Sequence, residues 1–119
     1  LVKNFKLGDH IIIDVCKVKP EYLTIEYDWE KFLDEIVEMT GSTILNRQFH
    51  PFPGGALTAL YLLAESHLSI HTWTEHQAFC FDMFSCKPFD KMAVLEKFWN
   101  EFGTDNVTYY TLDRIIHIV

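Results

Sequence analysis

Residues 64 to 75, Ala-Glu-Ser-His-Leu-Ser-Ile-His-Thr-Trp-Thr-Glu, gather two hydroxyls with nucleophilic potential (Ser66, Ser69), two imidazoles (His67, His71), two carboxylates (Glu65, Glu75) and an indole (Trp73). They follow directly on the most apolar run of the chain, Ala56 to Ala64. Polar groups beside a core segment are costly unless they find partners, so this density points to a site. The chemistry on offer is attack by a serine hydroxyl, with an imidazole to move the proton.

Strand parity sets the first constraint. Ser66 and His71 are five positions apart, and an extended strand would send their side chains to opposite faces. Cooperation therefore requires a backbone turn near Glu65 to His67, which would expose the Glu65-Ser66 peptide bond as a place for strain and chemistry. His67 and His71 also have the i, i+4 spacing of a zinc pair on a helix. Leu-Ser-Ile-His-Thr-Trp reads as strand, however, and no third ligand stands at a useful spacing, so no metal site is expected.

The elements that must position these groups can be read from periodicity. His10 to Cys16 is short and β-branched, a strand. From Trp29 to Thr40 the apolar residues Phe32, Leu33, Ile36, Val37 and Met39 recur at helical spacing, with Asp28 to cap the start and Gly41 to end it. Thr43 to Phe52 is a second strand, and Pro51, Pro53, Gly54 and Gly55 make the clearest turn. Ala56 to Ala64 reads as a central strand covered on both faces. Leu68 to Thr72 and Ala78 to Cys86 follow as strands, the latter interior, with Cys80, Asp82, Phe84 and Cys86 on one face and Phe79, Phe81 and Met83 on the other. Pro88 opens a second helix with an apolar side from Phe89 to Phe102, stopped by Gly103. Val107 to Leu112 and Ile115 to Val119 complete the chain as strands. The fold expected is α+β, a two-layer sandwich with a mainly antiparallel sheet and both helices on one face.

The whole chain bounds what this sandwich can be. Its 119 residues, 49% hydrophobic, fit one domain over 1–119 with one core. A formal charge of −7 repels phosphate backbones and leaves no basic stripe, so no nucleic acid partner is expected. No apolar run is long enough to span a bilayer, and no membrane partner is expected. Cys16, Cys80 and Cys86 are odd in number and lack zinc-like spacing, which suits a reduced, cytoplasmic setting. An opening on Leu1 in place of Met is expected of a trimmed chain or an excised domain.

At Ala64-Glu65-Ser66-His67-Leu68-Ser69-Ile70-His71-Thr72-Trp73 and at Asp82 to Cys86, with His50-Pro51-Phe52 in support, the sequence resembles the small bacterial and archaeal S-adenosylmethionine decarboxylases. The resemblance extends over nearly the full length. It implies a proenzyme that cuts itself between Glu65 and Ser66. Ser66 would attack the preceding carbonyl to form an ester, and His71 would help remove the α-proton so that the ester is eliminated. Hydrolysis of the dehydroalanine would leave a pyruvoyl group, the covalent cofactor, at the head of the second fragment. That group would form a Schiff base with the amine of S-adenosylmethionine and take up the electrons released with carbon dioxide, giving the aminopropyl donor for spermidine and polyamine synthesis.

The resemblance also assigns supporting roles. Cys86, twenty residues beyond the serine, would reprotonate the substrate carbon, while Cys80 lies about 20 Å away along the same strand. Thr58 would assist processing, and Phe52, Trp73 and Glu75 would contact the nucleoside end of the substrate. A homodimer that pairs its sheets and builds its sites at the contact is implied. Thr74, Gln77, Ala78 and Lys87 depart from the family pattern around the substrate pocket. Two alternatives stand beside this reading: a pyruvoyl-dependent arginine or ornithine decarboxylase on the same fold, and an unprocessed, non-catalytic homologue. Taken alone, Ser66 would be a turn cap, His71 a satisfied core histidine, Cys86 a small buried hydrophobe, and Phe52 and Trp73 core aromatics.

Overall fold

A computed structural model describes residues 3–118. Six strands, β1 (Lys3–Val15), β2 (Ile44–Pro51), β3 (Leu57–Leu63), β4 (Ser66–Trp73), β5 (Ala78–Ser85) and β6 (Val107–Ile118), form one sheet in the order β2-β3-β4-β5-β1-β6. Every pairing is antiparallel. Helices α1 (Trp29–Met39) and α2 (Lys91–Phe102) pack on one face. The α+β sandwich expected from the sequence is the one observed.

Local chemistry explains the helix ends. Asp28 caps α1 by accepting from the Lys31 N–H at 2.9 Å, and Asp90 caps α2 by accepting from Ala93 at 3.0 Å. α2 therefore begins after Pro88 and Phe89, later than expected, because the first side chain able to hold the free N–H groups is Asp90. α1 ends at Gly41, whose φ of +69° suits a residue without a Cβ. Trp29, Phe32, Leu33, Ile36 and Val37 are the buried stripe of α1. They meet Phe79 and Phe81 of β5 and Phe98 and Phe102 of α2 in a cluster of edge-on and tilted aromatic contacts. Each such ring removed from water contributes about 1.5–3 kcal/mol.

Only one face of the sheet is covered. On β3, Ala59, Tyr61 and Leu63 are buried while Leu60 and Leu62 stay half exposed, which corrects the expectation of a strand covered on both sides. β5 is central, but Cys80, Asp82 and Phe84 lie on its uncovered side and are only partly buried. β1 begins earlier than expected, at Lys3, because residues 3 to 6 pair with 115 to 118 across a bulge at Leu7. β6 is likewise one strand where two were expected, since the bulge lets pairing run through Asp113 and Arg114; Val119 lies outside the described residues.

Candidate active site

β3 and β4 form a hairpin whose turn is Ala64–Glu65, with Leu63 opposite Ser66 and Thr58 opposite His71. The turn sits where parity asked for one. Ser66 itself takes a positive φ of 158°, and the hairpin presents the Glu65-Ser66 bond at a sheet end. Three contacts tie the turn down. The Glu65 carbonyl accepts from the backbone N–H of Cys86 at 3.0 Å, the Glu65 carboxylate accepts from the Thr43 N–H at 3.0 Å, and Ala64 N–H donates to the Thr43 carbonyl at 2.9 Å. Cys86, exposed just beyond β5, is thus brought to the Glu65-Ser66 linkage.

His71 is not brought there. β4 runs unbroken from Ser66 to Trp73, so five residues at about 3.3 Å each hold the two about 16 Å apart. The expectation that one turn would let Ser66 and His71 cooperate within a chain is corrected. His67 and His71 share a face but lie about 13 Å apart on the same reasoning, too far for a metal pair.

At its own end of the sheet, His71 keeps a set of partners. Its Nδ1 is 3.1 Å from the Thr58 hydroxyl, and its ring is 6.2 Å from that of Trp73. Opposite residues in an antiparallel register project to the same face, which places Cys80 on the other flank of His71 and Asp14 beyond it. Burial pushes the Cys80 thiol up, and the Asp14 and Asp82 carboxylates push it further, so it stays protonated at neutral pH. Trp73 and Phe52 are exposed rather than core, and the Phe52 ring lies 4.6 Å from that of His50. Glu75 is in the turn after β4. Thr58, His71, Phe52, Trp73 and Glu75 therefore share one end of the sheet, and Ser66 and Cys86 share the other. A shallow cleft of about 280 Å³ opens between Trp73, Cys80, Cys16 and Asp14. A larger one of about 500 Å³ lies on the helix side between residues 24 to 30 and the end of β2, and borders none of Ser66, His71 and Cys86.

Midway between the two ends, the open face carries a cluster that sequence reasoning missed. Asp82 accepts from the Ser69 hydroxyl and bonds His10 Nε2 at 2.9 Å, with His67 Nε2 at 3.5 Å. Burial lifts the Asp82 carboxyl, but the Ser69 and His10 bonds outweigh it and hold the group below the usual range. Ser69 and His67 stood within the dense stretch. His10, however, is 72 positions from Asp82, and no local pattern could have joined them.

Comparison with known proteins bears on this arrangement. A model of the S-adenosylmethionine decarboxylase family matches residues 9–115. The chain belongs to that family. A relative named S-adenosylmethionine decarboxylase proenzyme from Hydrogenobaculum sp. (strain Y04AAS1) is 34% identical over 109 residues, 91% of this chain and 81% of the relative. One of the same name from Archaeoglobus fulgidus is 32% identical over 91% of this chain and 97% of its own. The crystal structure of the adenosylmethionine decarboxylase from Aquifex aeolicus superposes with a TM-score of 0.77 at 26% identity, covering 92% of this chain and 91% of that one. The sandwich is thus shared with the Aquifex aeolicus enzyme over most of both chains. No helix among the described residues is long and apolar enough to cross a membrane.

Proposed function

We propose that this chain cuts itself between Glu65 and Ser66, converts Ser66 into a pyruvoyl group, and decarboxylates S-adenosylmethionine to supply the aminopropyl donor of spermidine and polyamine synthesis. The observation that carries the reading is the Cys86 N–H bonded to the Glu65 carbonyl oxygen at 3.0 Å. Attack by the Ser66 hydroxyl drives negative charge onto that oxygen, and a donor already in place stabilises it without reorganisation. Thr43 holds the Glu65 carboxylate and the Ala64 N–H, so the electrophile is fixed before attack.

His71 is the base that removes the Ser66 α-proton, and Thr58 orients its ring through Nδ1. The gap of about 16 Å within one chain supports a site in which this His71 comes from a second copy. Each site then takes Ser66 and Cys86 from one chain and Thr58, His71, Phe52, Trp73 and Glu75 from the other. The open face supports such a homodimer, since it exposes Leu60, Leu62, Tyr110 and Leu112 without a covering layer. The pyruvoyl group, once made, supplies the electron sink for the pair left when carbon dioxide departs. Cys86 returns a proton to the substrate carbon. Phe52 and Trp73 offer aromatic faces to an adenine, and the Glu75 carboxylate can accept from ribose hydroxyls. Cys16, Cys80 and Cys86 are all free thiols, in keeping with a cytoplasmic enzyme.

Release of labelled carbon dioxide from S-adenosylmethionine, arginine and ornithine, each carboxyl-labelled, tests this. Release from the first alone is expected. Release from arginine or ornithine alone would reassign the substrate, and release from none would remove the enzymatic reading.

A further inference from the structure

Asp9, Thr72 and Ser85 are the buried polar residues among those described. Two of them are accounted for. Asp9 accepts from the ammonium groups of Lys6 and Lys91, and the Thr72 hydroxyl accepts from the Leu57 N–H at 2.8 Å and donates to the Leu57 carbonyl at 3.5 Å. Ser85 is different. Its Oγ accepts from the Lys87 N–H at 3.1 Å, yet its own proton has no acceptor among the described residues, although the residue is only 1% exposed. A buried donor left unused costs about 1–3 kcal/mol, so the hydroxyl calls for an acceptor that the uncut chain does not yet present.

The register says which one. Ser85 is directly opposite Ser66, and opposite residues project to the same face. Ser85 has the parity of Phe79, Phe81 and Met83, and Ser66 that of Leu68 and Ile70, all buried on the helix side. The bond from the Cys86 N–H to the Glu65 carbonyl flanks this pair, which makes it the closely spaced, non-hydrogen-bonded kind, with Cα atoms about 4.5 Å apart. A change of rotamer at Ser66 brings its Oγ within reach of the Ser85 hydroxyl. We propose that Ser85 is a catalytic residue of self-cleavage, donating to Ser66 Oγ as the ester breaks; the proposal rests on the self-cleavage reading above.

The elimination step shows what that donor does. A base takes the Ser66 α-proton, the electron pair of the Cα–H bond becomes the second Cα–Cβ bond, and the Cβ–Oγ bond breaks. Oγ departs with the Glu65 carbonyl as the new carboxylate of the 1–65 fragment, so negative charge spreads over both oxygens. The Cys86 N–H is already at the carbonyl oxygen, 3.0 Å away. Ser85 supplies the second donor, at Oγ. The Lys87 N–H on Ser85 Oγ polarises the hydroxyl toward donation. Each oxygen of the departing carboxylate then has one donor fixed in advance, and Ser85 itself neither gains nor loses an atom.

Wild type, Ser85→Ala and Ser85→Thr, made as full chains by cell-free synthesis and followed on denaturing gels, test this, with a portion of each sample treated briefly with neutral hydroxylamine. Hydroxylamine cuts the ester and leaves a serine, not a ketone, at the head of the 66–119 fragment, and intact mass tells the two apart. Ser85→Ala should form the pyruvoyl fragment at least about 10-fold more slowly and build up full-length chain that hydroxylamine cuts. Ser85→Thr keeps the hydroxyl and should process within a few-fold of wild type, without that build-up. Processing of Ser85→Ala within about 2-fold of wild type would overturn the assignment. Slowing without a hydroxylamine-sensitive chain, or slowing as marked in Ser85→Thr, would overturn it too, since either result points to packing. Wild type that stays uncut and resists hydroxylamine would remove the self-cleavage reading itself, and the role of Ser85 with it.

Discussion

The Thr58 hydroxyl and His71 Nδ1 lie 3.1 Å apart on neighbouring strands, at the end of the sheet remote from Ser66. A hydroxyl there can hold the ring so that Nε2 faces the reacting bond. Thr58→Val should slow self-cleavage at least about 10-fold, the scale on which a positioned general base acts, and Thr58→Ser should restore it to within a few-fold. The cut fraction against time, followed on denaturing gels after cell-free synthesis, reads both variants.

Cys86 separates the two reactions. Its contribution to processing is a backbone N–H, which any non-proline residue supplies, while its contribution to turnover is the thiol. Cys86→Ala should still be cut into fragments 1–65 and 66–119 at a rate within a few-fold of wild type. Its decarboxylation should fall by about 10²-fold or more. Gel and carbon dioxide release, measured on one preparation, separate the effects.

Complementation tests the two-copy site. A Ser66→Ala chain keeps Thr58 and His71, and a His71→Ala chain keeps Ser66 and Cys86. Neither should be processed alone beyond a small residue. Co-expressed, the mixed dimer should cut the His71→Ala chain only, and a differential tag shows which chain is cut. Failure of the mixture to process either chain would place His71 and Ser66 in one copy after all.

Acid stability should report on Asp9. Burial raises its carboxyl, but the Lys6 and Lys91 ammonium groups, at 2.7 and 2.8 Å, outweigh this and hold it at about 2. A carboxyl lower in the folded than in the unfolded chain stabilises above the ordinary carboxylate range, and that contribution is lost as pH falls from about 4 to 2. Asp9→Asn should therefore cost about 1–2 kcal/mol at pH 7. The gap between variant and wild type in urea unfolding should close by about pH 2.

The elements with strong periodicity were legible in the sequence. The stripe of Phe32, Leu33, Ile36 and Val37, capped by Asp28, predicts α1, and Phe79, Phe81 and Met83 against Cys80, Asp82 and Phe84 give the two faces of β5. What escaped was long-range. The first half of β1 is polar and alternates weakly, and becomes strand only because residues 115 to 118 pair with it. Leu60 and Leu62 signal cover on a second face, but no sequence pattern says whether the cover comes from the same chain. Parity correctly set Ser66 and His71 apart, and the wrong step was to close the gap by bending one chain, since β4 runs unbroken from Ser66 to Trp73. The Asp82 cluster joins β1, β4 and β5, which only the strand order β4-β5-β1 brings together.

Intact mass of freshly purified wild type, with and without hydroxylamine, bears most directly on the claim that Ser66 becomes a carbonyl electrophile. Two fragments, 1–65 and 66–119, with an oxime on the second and an uncut Ser66→Ala control, is the result predicted. A single chain of 14.0 kDa that takes up no label would contradict it.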